Sequence, residues 1–173
     1  MGSKRPPIPL YKRSIRVLHS QGKQQNFWGG NMIDFTIPEE TKAIRDKVRA
    51  FVQSECHPAE ETCNADNFDE TLVGLRSKAR SLGLWCPFIP TEHGGMGLRP
   101  LANALVQMEL GESYLGALSL NTQGPDDATM LTLLEHGTDF QKEKFLTPLL
   151  NGEKRICYSM TEKAAGADAT GMQ

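Results

Sequence analysis

Apolar residues recur at helical spacing from Thr36 onward. Ile44, Val48, Phe51 and Val52 share one face. Ahead of them stand Thr36 as a cap, Pro38, and the first-turn acids Glu39 and Glu40. Pro58 predicts a kink or a stop near Cys56. Asp69 is placed to cap a second helix, with Leu72, Leu75, Ala79 and Leu82 on its apolar face and Gly83 at its end. Pro100 opens a third, carrying Leu101, Leu105 and Met108. A short helix is predicted around Tyr114 to Leu120. Another follows Gly124-Pro125-Asp126 and runs through Met130, Leu131 and Leu134 to Gly137. Asp139 is placed to cap the last, with Phe140, Lys144 and Phe145 before Pro148 and Gly152.

The pattern changes after residue 156. Cys157 to Glu162 alternates aromatic, small and β-branched residues, the signature of a short strand. Lys163 to Thr170 is a small-residue loop around Gly166. The predicted fold is therefore mainly α: a helical bundle of five or six helices, followed by the first strand of an incomplete β-domain. A strand that opens into a loop without bulky side chains suits a flat, polar cofactor with a phosphate tail. The earlier glycine cluster, Gly94-Gly95-Met96-Gly97, lies in a proline-broken loop and not between a strand and a helix of a βαβ unit. It reads as a structural turn.

Charge divides the chain. Residues 1–31 hold six Lys/Arg and no acid; the remainder holds 13 basic and 21 acidic residues, a net of −8. The body therefore offers no electrostatic footprint for nucleic acid, and no run approaches the roughly 20 apolar residues of a membrane span. Three readings of 1–31 stay open: a disordered extension, an upstream stretch with the working start at Met32, or a mitochondrial targeting sequence. The expected compartment is cytoplasmic, or mitochondrial if 1–31 is a transit peptide. The expected domains are 1–31 as extension, 32–154 as helical domain, and 155–173 as the start of a β-domain. Cysteines 56, 63, 86 and 157 match no zinc spacing and are expected to be reduced thiols, with no metal bound.

Several segments occur in a telling order. They are the acid-rich helix Phe35 to Val52, Ile89-Pro90-Thr91-Glu92-His93-Gly94-Gly95-Met96-Gly97, and Gln107-Met108-Glu109-Leu110-Gly111. Then come His136-Gly137-Thr138 with Gln141-Lys142, Leu149-Leu150-Asn151-Gly152-Glu153, and Cys157 through Thr170. Together they resemble the N-terminal part of the acyl-CoA dehydrogenases, over residues 32 to 173. Asn121-Thr122-Gln123-Gly124-Pro125-Asp126 is similar to a branch with Asn-x-x-x-Pro-Asp at that point. The resemblance implies a helical N-terminal domain, a middle β-barrel and a C-terminal four-helix domain, with FAD and an acyl-CoA thioester between them. It implies an oxidoreductase of fatty acid metabolism: a carboxylate removes the α-proton and flavin N5 takes the β-hydride. For the full-length protein it implies a homo-oligomer and an electron-transfer flavoprotein as partner.

Carried onto this chain, the family's flavin segment falls on Tyr158, Ser159, Met160, Thr161, Gly166 and Ala167. Met160 and Thr161 match positions that meet the flavin ring. Gly166 and Ala167 match the turn that approaches FAD phosphate, and Ala167 also the CoA substrate. Two positions depart: Lys163 stands where the family has Pro, and Ala167 where it has Ser. The second removes a side-chain hydrogen bond worth about 0.5–1.5 kcal/mol. The family's catalytic carboxylate comes from the C-terminal helical domain, and Glu92, Glu109, Glu153 and Glu162 match no family base. His93 and His136 are expected at loop or helix ends. The chain by itself is expected to lack dehydrogenase activity and to bind FAD poorly. Two other readings stay open. One keeps the superfamily but makes it an acyl-CoA oxidase or flavin monooxygenase; the other is a non-catalytic helical module that binds a partner.

Overall fold

The computed structural model describes residues 36–172. The 1–31 extension, Met32, Phe35 and Gln173 lie outside them. Helix α1 (Glu39–Phe51) continues through a π-helical turn (Val52–Cys56) into α2 (His57–Thr62). Next come α3 (Phe68–Ser81), a 3-10 turn (Thr91–His93), α4 (Pro100–Leu110), the single turn α5 (Gly116–Ser119) and α6 (Gly124–His136). Finally α7 (Asp139–Gln141) passes through a second π-helical turn (Lys142–Leu146) into α8 (Thr147–Leu150). Pieces joined end to end count as one helix, which gives six helical segments among the described residues. That agrees with the predicted mainly α bundle.

The two π turns share a cause. Each ends two residues before a proline that the helix carries internally, Pro58 or Pro148. Proline has no N–H, and its ring crowds the carbonyl four residues back. Widening the preceding turn relieves that crowding: the His57 N–H donates to Val52 O, and the Thr147 N–H to Lys142 O. Of the kink or stop expected near Cys56, the stop does not occur: the helix is locally irregular there, and the chain stays helical to Thr62.

Helix starts also differ from expectation. Pro38, not Thr36, is the cap residue of α1, and Asn67, not Asp69, that of α3. Thr138, not Asp139, caps α7 in a reciprocal box: its Oγ1 accepts the Gln141 N–H while Gln141 Oε1 accepts the Thr138 N–H. In each case the acid lies inside the first turn, where it still favours the helix dipole.

One core joins Val48, Phe51, Val52 and Cys56 to Leu75 and Ala79 of α3, to Val106 and Leu110 of α4, and to Leu84, Leu115 and Leu120. A second holds Trp85, Cys86, Ile89, Met130, Leu146 and Leu149. Helix α4 presents a different face from the predicted one. Ala102, Val106 and Leu110 are buried, whereas Leu101 and Met108 are 51% and 69% exposed. The helix is apolar on more than one side, so periodicity alone does not choose the face. The small Ala102 and compact Val106 allow α1 to approach closely. Arg49 then locks the pair, donating from Nη2 and Nε to Glu109 at 2.7 and 2.9 Å.

The predicted strand is absent. No β-strand occurs among the described residues, and 154–162 have no regular secondary structure. A strand needs a neighbour for its N–H and C=O groups, and no second strand is present here.

Candidate functional site

The segment that holds Tyr158 to Ala167 starts from the C-terminal end of α8. A helix leaves its last carbonyls without intrahelical partners. Here side chains from other elements take them. Leu149 O accepts from Asn121 Nδ2 at 2.9 Å, and Leu150 O from Trp85 Nε1 at 2.9 Å. Asn151 O accepts from Arg80 Nη2 at 2.6 Å, and Gly152 O from Arg76 Nη1 at 2.6 Å. The Arg80 guanidinium also stacks 3.6 Å from the Trp85 ring centroid. Burial lowers the Arg76 pKa, as do the positive charges of Arg155 and Arg80, while Asp126 opposes the shift. Gly152 completes the turn at φ 69°, with the Trp85 ring against the place a Cβ would take.

A second tie follows. The Ile156 N–H donates to Asp126 Oδ1 at 2.8 Å, and the Ile156 side chain packs on the second core. A groove of about 270 Å³ lies there, lined by Gln123, Arg155, Ile156 and Cys157.

Beyond Cys157 the segment is open to solvent. Tyr158 is 69% and Met160 46% exposed, and Ser159, Thr161, Gly166 and Ala167 are exposed as well. Residues 163–167 form a turn in which the Gly166 N–H donates to Glu162 O at 3.0 Å. Gly166 has φ 54°, and nothing lies within 4 Å of a Cβ built there. The turn thus leaves the space over Gly166 open to an approaching group. Asp168 follows, but its Oδ1 accepts from the Thr170 N–H at 3.0 Å and Oγ1 at 2.7 Å. These bonds hold its pKa below the usual carboxylate range. The six predicted residues therefore share one exposed segment with a stationary root.

Sequence reasoning missed that root. Asn121 and Asp126 stood out only as a pattern, and Arg76, Arg80 and Trp85 not at all. Spacing gave a partial signal: Arg76 and Arg80 are four apart and share a face of α3. A polar relay beside the root was also missed. Gln107 Nε2 donates to Thr122 Oγ1 at 2.7 Å, which donates to Asp127 Oδ2 at 2.6 Å. Burial raises the Asp127 pKa, against the lowering effect of the Thr122 bond. The glycine loop at 94–97 is the structural turn expected: Gly95 packs on the Ile89 carbonyl, and the Gly97 N–H donates to Ile89 O at 2.8 Å. Cys56, His57 and Cys63 do not converge. Cys56 is buried beside Ser119, and His57 Nε2 lies 3.3 Å from Glu112 O.

Comparison with known proteins bears on the same architecture. Residues 38–153 match the family described as Acyl-CoA dehydrogenase, N-terminal domain. Acyl-CoA dehydrogenase family member 11 of Gallus gallus is 34% identical over 139 residues, covering 73% of this chain and 18% of its own length. Acyl-CoA dehydrogenase family member 10 of Mus musculus is 29% identical over 186 residues, covering 99% of this chain and 17% of its own. A solved structure from Mycobacterium abscessus, assigned to the acyl-CoA dehydrogenases, superposes with a TM-score of 0.73 at 29% identity. It covers 80% of this chain and 38% of the other. The chain thus spans less than a fifth of the length of those two relatives. The helical bundle, the order of its elements and the matched sequence agree: the chain belongs to the acyl-CoA dehydrogenase family.

Proposed function

We propose that this chain is the N-terminal part of an FAD-dependent enzyme that converts acyl-CoA thioesters to 2-enoyl-CoA. Residues 32–154 form its helical domain and 155–173 begin a second domain. Tyr158 to Ala167 supply one wall of the flavin and acyl-CoA site. The observation that carries this reading is the largely exposed segment 158–167, which follows the family-matched stretch 38–153 after four intervening residues.

The residues fit such a role. Thr161 offers a hydroxyl and an N–H to the polar edge of a flavin ring, and Met160 an apolar surface beside it. Ala167 offers its backbone N–H to phosphate, with no Cβ at 166 to hold it off, while the Gly166 N–H closes the turn on Glu162 O. Ala167 brings no hydroxyl, so its contact with FAD and with acyl-CoA is by backbone. Bound FAD supplies the acceptor for the hydride that leaves the substrate's β-carbon. Removal of the α-proton falls to a carboxylate outside these residues. In support, Glu109 is held by Arg49, and Glu153 Oε1 accepts from Asn151 Nδ2 at 3.0 Å.

The test is a titration of the 173-residue chain with FAD, followed by amide shifts and flavin fluorescence, with an acyl-CoA oxidation assay beside it. Weak, saturable shifts confined to 158–167, without turnover, are the expected result. Shifts elsewhere only would remove the flavin reading. Turnover by this chain alone would remove the external base.

A further inference from the structure

Helix α6 opens with two acids whose carboxylates go different ways. Asp127 turns to Thr122 within the relay. Asp126 is 3% exposed and reaches the amide of Ile156, thirty residues along the chain. A carboxylate serving only the helix dipole has no need to be buried, and burying one is costly unless it is bonded. The bond also has a particular place. Among the described residues it is the last one tying the chain to the bundle before 157–161, which make none to it.

We infer that Asp126 is a positioning residue. Its carboxylate fixes the point and direction from which 157–167 leave the bundle, and so where Thr161 and Gly166 stand. The inference rests on the reading of that segment as a flavin wall and deepens it. The four carbonyl ties at residues 149–152 set the end of α8; Asp126 sets the next step, at Ile156, which packs on the second core just before exposed Cys157.

The experiment compares Asp126→Ala and Asp126→Asn in the 173-residue chain by amide hydrogen exchange and FAD titration. In Asp126→Ala the Ile156 amide should exchange about tenfold faster or more, because a bond to a charged acceptor is lost. The amides of 157–167 should shift, while Val48 and Val106 keep their protection. Asp126→Asn retains an acceptor oxygen and should restore much of the Ile156 protection. FAD should bind Asp126→Ala about tenfold more weakly than Asp126→Asn. Unchanged Ile156 exchange in Asp126→Ala, equal loss in both variants, or loosening without any change in FAD affinity would overturn the inference. If FAD leaves 158–167 of the unaltered chain unmoved, the flavin reading fails, and the exchange data still decide whether Asp126 sets the path. Should Asp126→Ala unfold, Ile156→Pro deletes the donor instead, and the same loosening of 157–167 is required of it.

Discussion

Cys86 and Asn121 both hold left-handed backbone, at φ 45° and 55°, and they hold it against each other. Asn121 Nδ2 lies 3.2 Å from Cys86 Sγ, and the Cys86 N–H donates to Leu120 O at 2.9 Å. Such a conformation costs a non-glycine residue about 1–2 kcal/mol, less for Asn, whose short polar side chain bonds locally. Here Asn121 offsets that cost through its bond to Leu149 O at the end of α8. Asn121→Ala is expected to lose both the bond and the tolerance, about 2–3 kcal/mol in all. Asn121→Gly keeps the backbone and should cost about 1 kcal/mol less. Urea denaturation of the two variants measures the difference; equal losses would show that the bond, not the backbone, sets the cost.

The thiols give a prediction with a pH sign. Burial pushes Cys56 and Cys86 up from an ordinary 9.0 to about 11 each, against lowering bonds from Ser119 and Asn121 respectively. The folded state favours the neutral thiol. Its contribution is therefore whole below pH 9 and is lost as pH rises through the folded value. Over that window each thiol removes about 1.4 kcal/mol per pH unit. Cys56→Ala should flatten the alkaline fall in stability by one thiol's share, as read from urea midpoints across the window. In the native chain at about pH 8, a thiol reagent should modify exposed Cys157 first. It should reach Cys56 and Cys86 only on unfolding.

How much of this was legible follows from the range of each interaction. The face Val48, Phe51 and Val52 and the face Leu72, Leu75 and Ala79 were plain, because one-sided burial writes itself into local spacing. The face of α4 was not, since Leu101 and Met108 are as apolar as the residues that are buried. Pro58 left a kink and a stop both open because a π turn leaves no mark in composition. The six positions proposed for the flavin wall came from ordered family segments; by pattern alone Tyr158 to Thr161 predicted a strand, which the described residues have no partner to form, and Gly166 and Ala167 a loop. The root at Asn121, Asp126, Trp85, Arg76 and Arg80 is assembled across 28 to 76 positions of sequence, beyond any local signal.

Gly95 provides a sharper stability test than the other glycines of its loop. Its backbone lies so close to the Ile89 carbonyl that an added Cβ would meet backbone atoms, which cannot swing aside. Ile89 is itself fully buried in the second core. Gly95→Ala should therefore cost about 3 kcal/mol or more, by forcing the loop off that core. Gly74→Ala, with nothing within 4 Å in the middle of α3, should instead gain about 0.5–1 kcal/mol. Thermal melts of the pair, followed by far-UV circular dichroism, should move in opposite directions.

Asp127 carries the last prediction. One of its oxygens takes the Thr122 hydroxyl at 2.6 Å; the other, Oδ1, is buried with no partner. Burial raises its pKa above the usual carboxylate value of 3.8. The sign follows from linkage: the folded chain holds the proton more tightly than the unfolded one, so stability present at low pH is lost as pH rises through the folded pKa. Asp127→Asn removes the charge but keeps an oxygen for Thr122. It should match the unaltered chain at about pH 3 and exceed it in urea midpoint at about pH 7, the gap opening across the titration. Thr122→Val provides the control. Without the hydroxyl, Asp127 loses the bond that lowers its pKa, and the fall in stability should move to higher pH. If Asp127→Asn is instead less stable at pH 7, the carboxylate is a net contributor to the relay with Gln107 and Thr122, and burial is not its dominant effect.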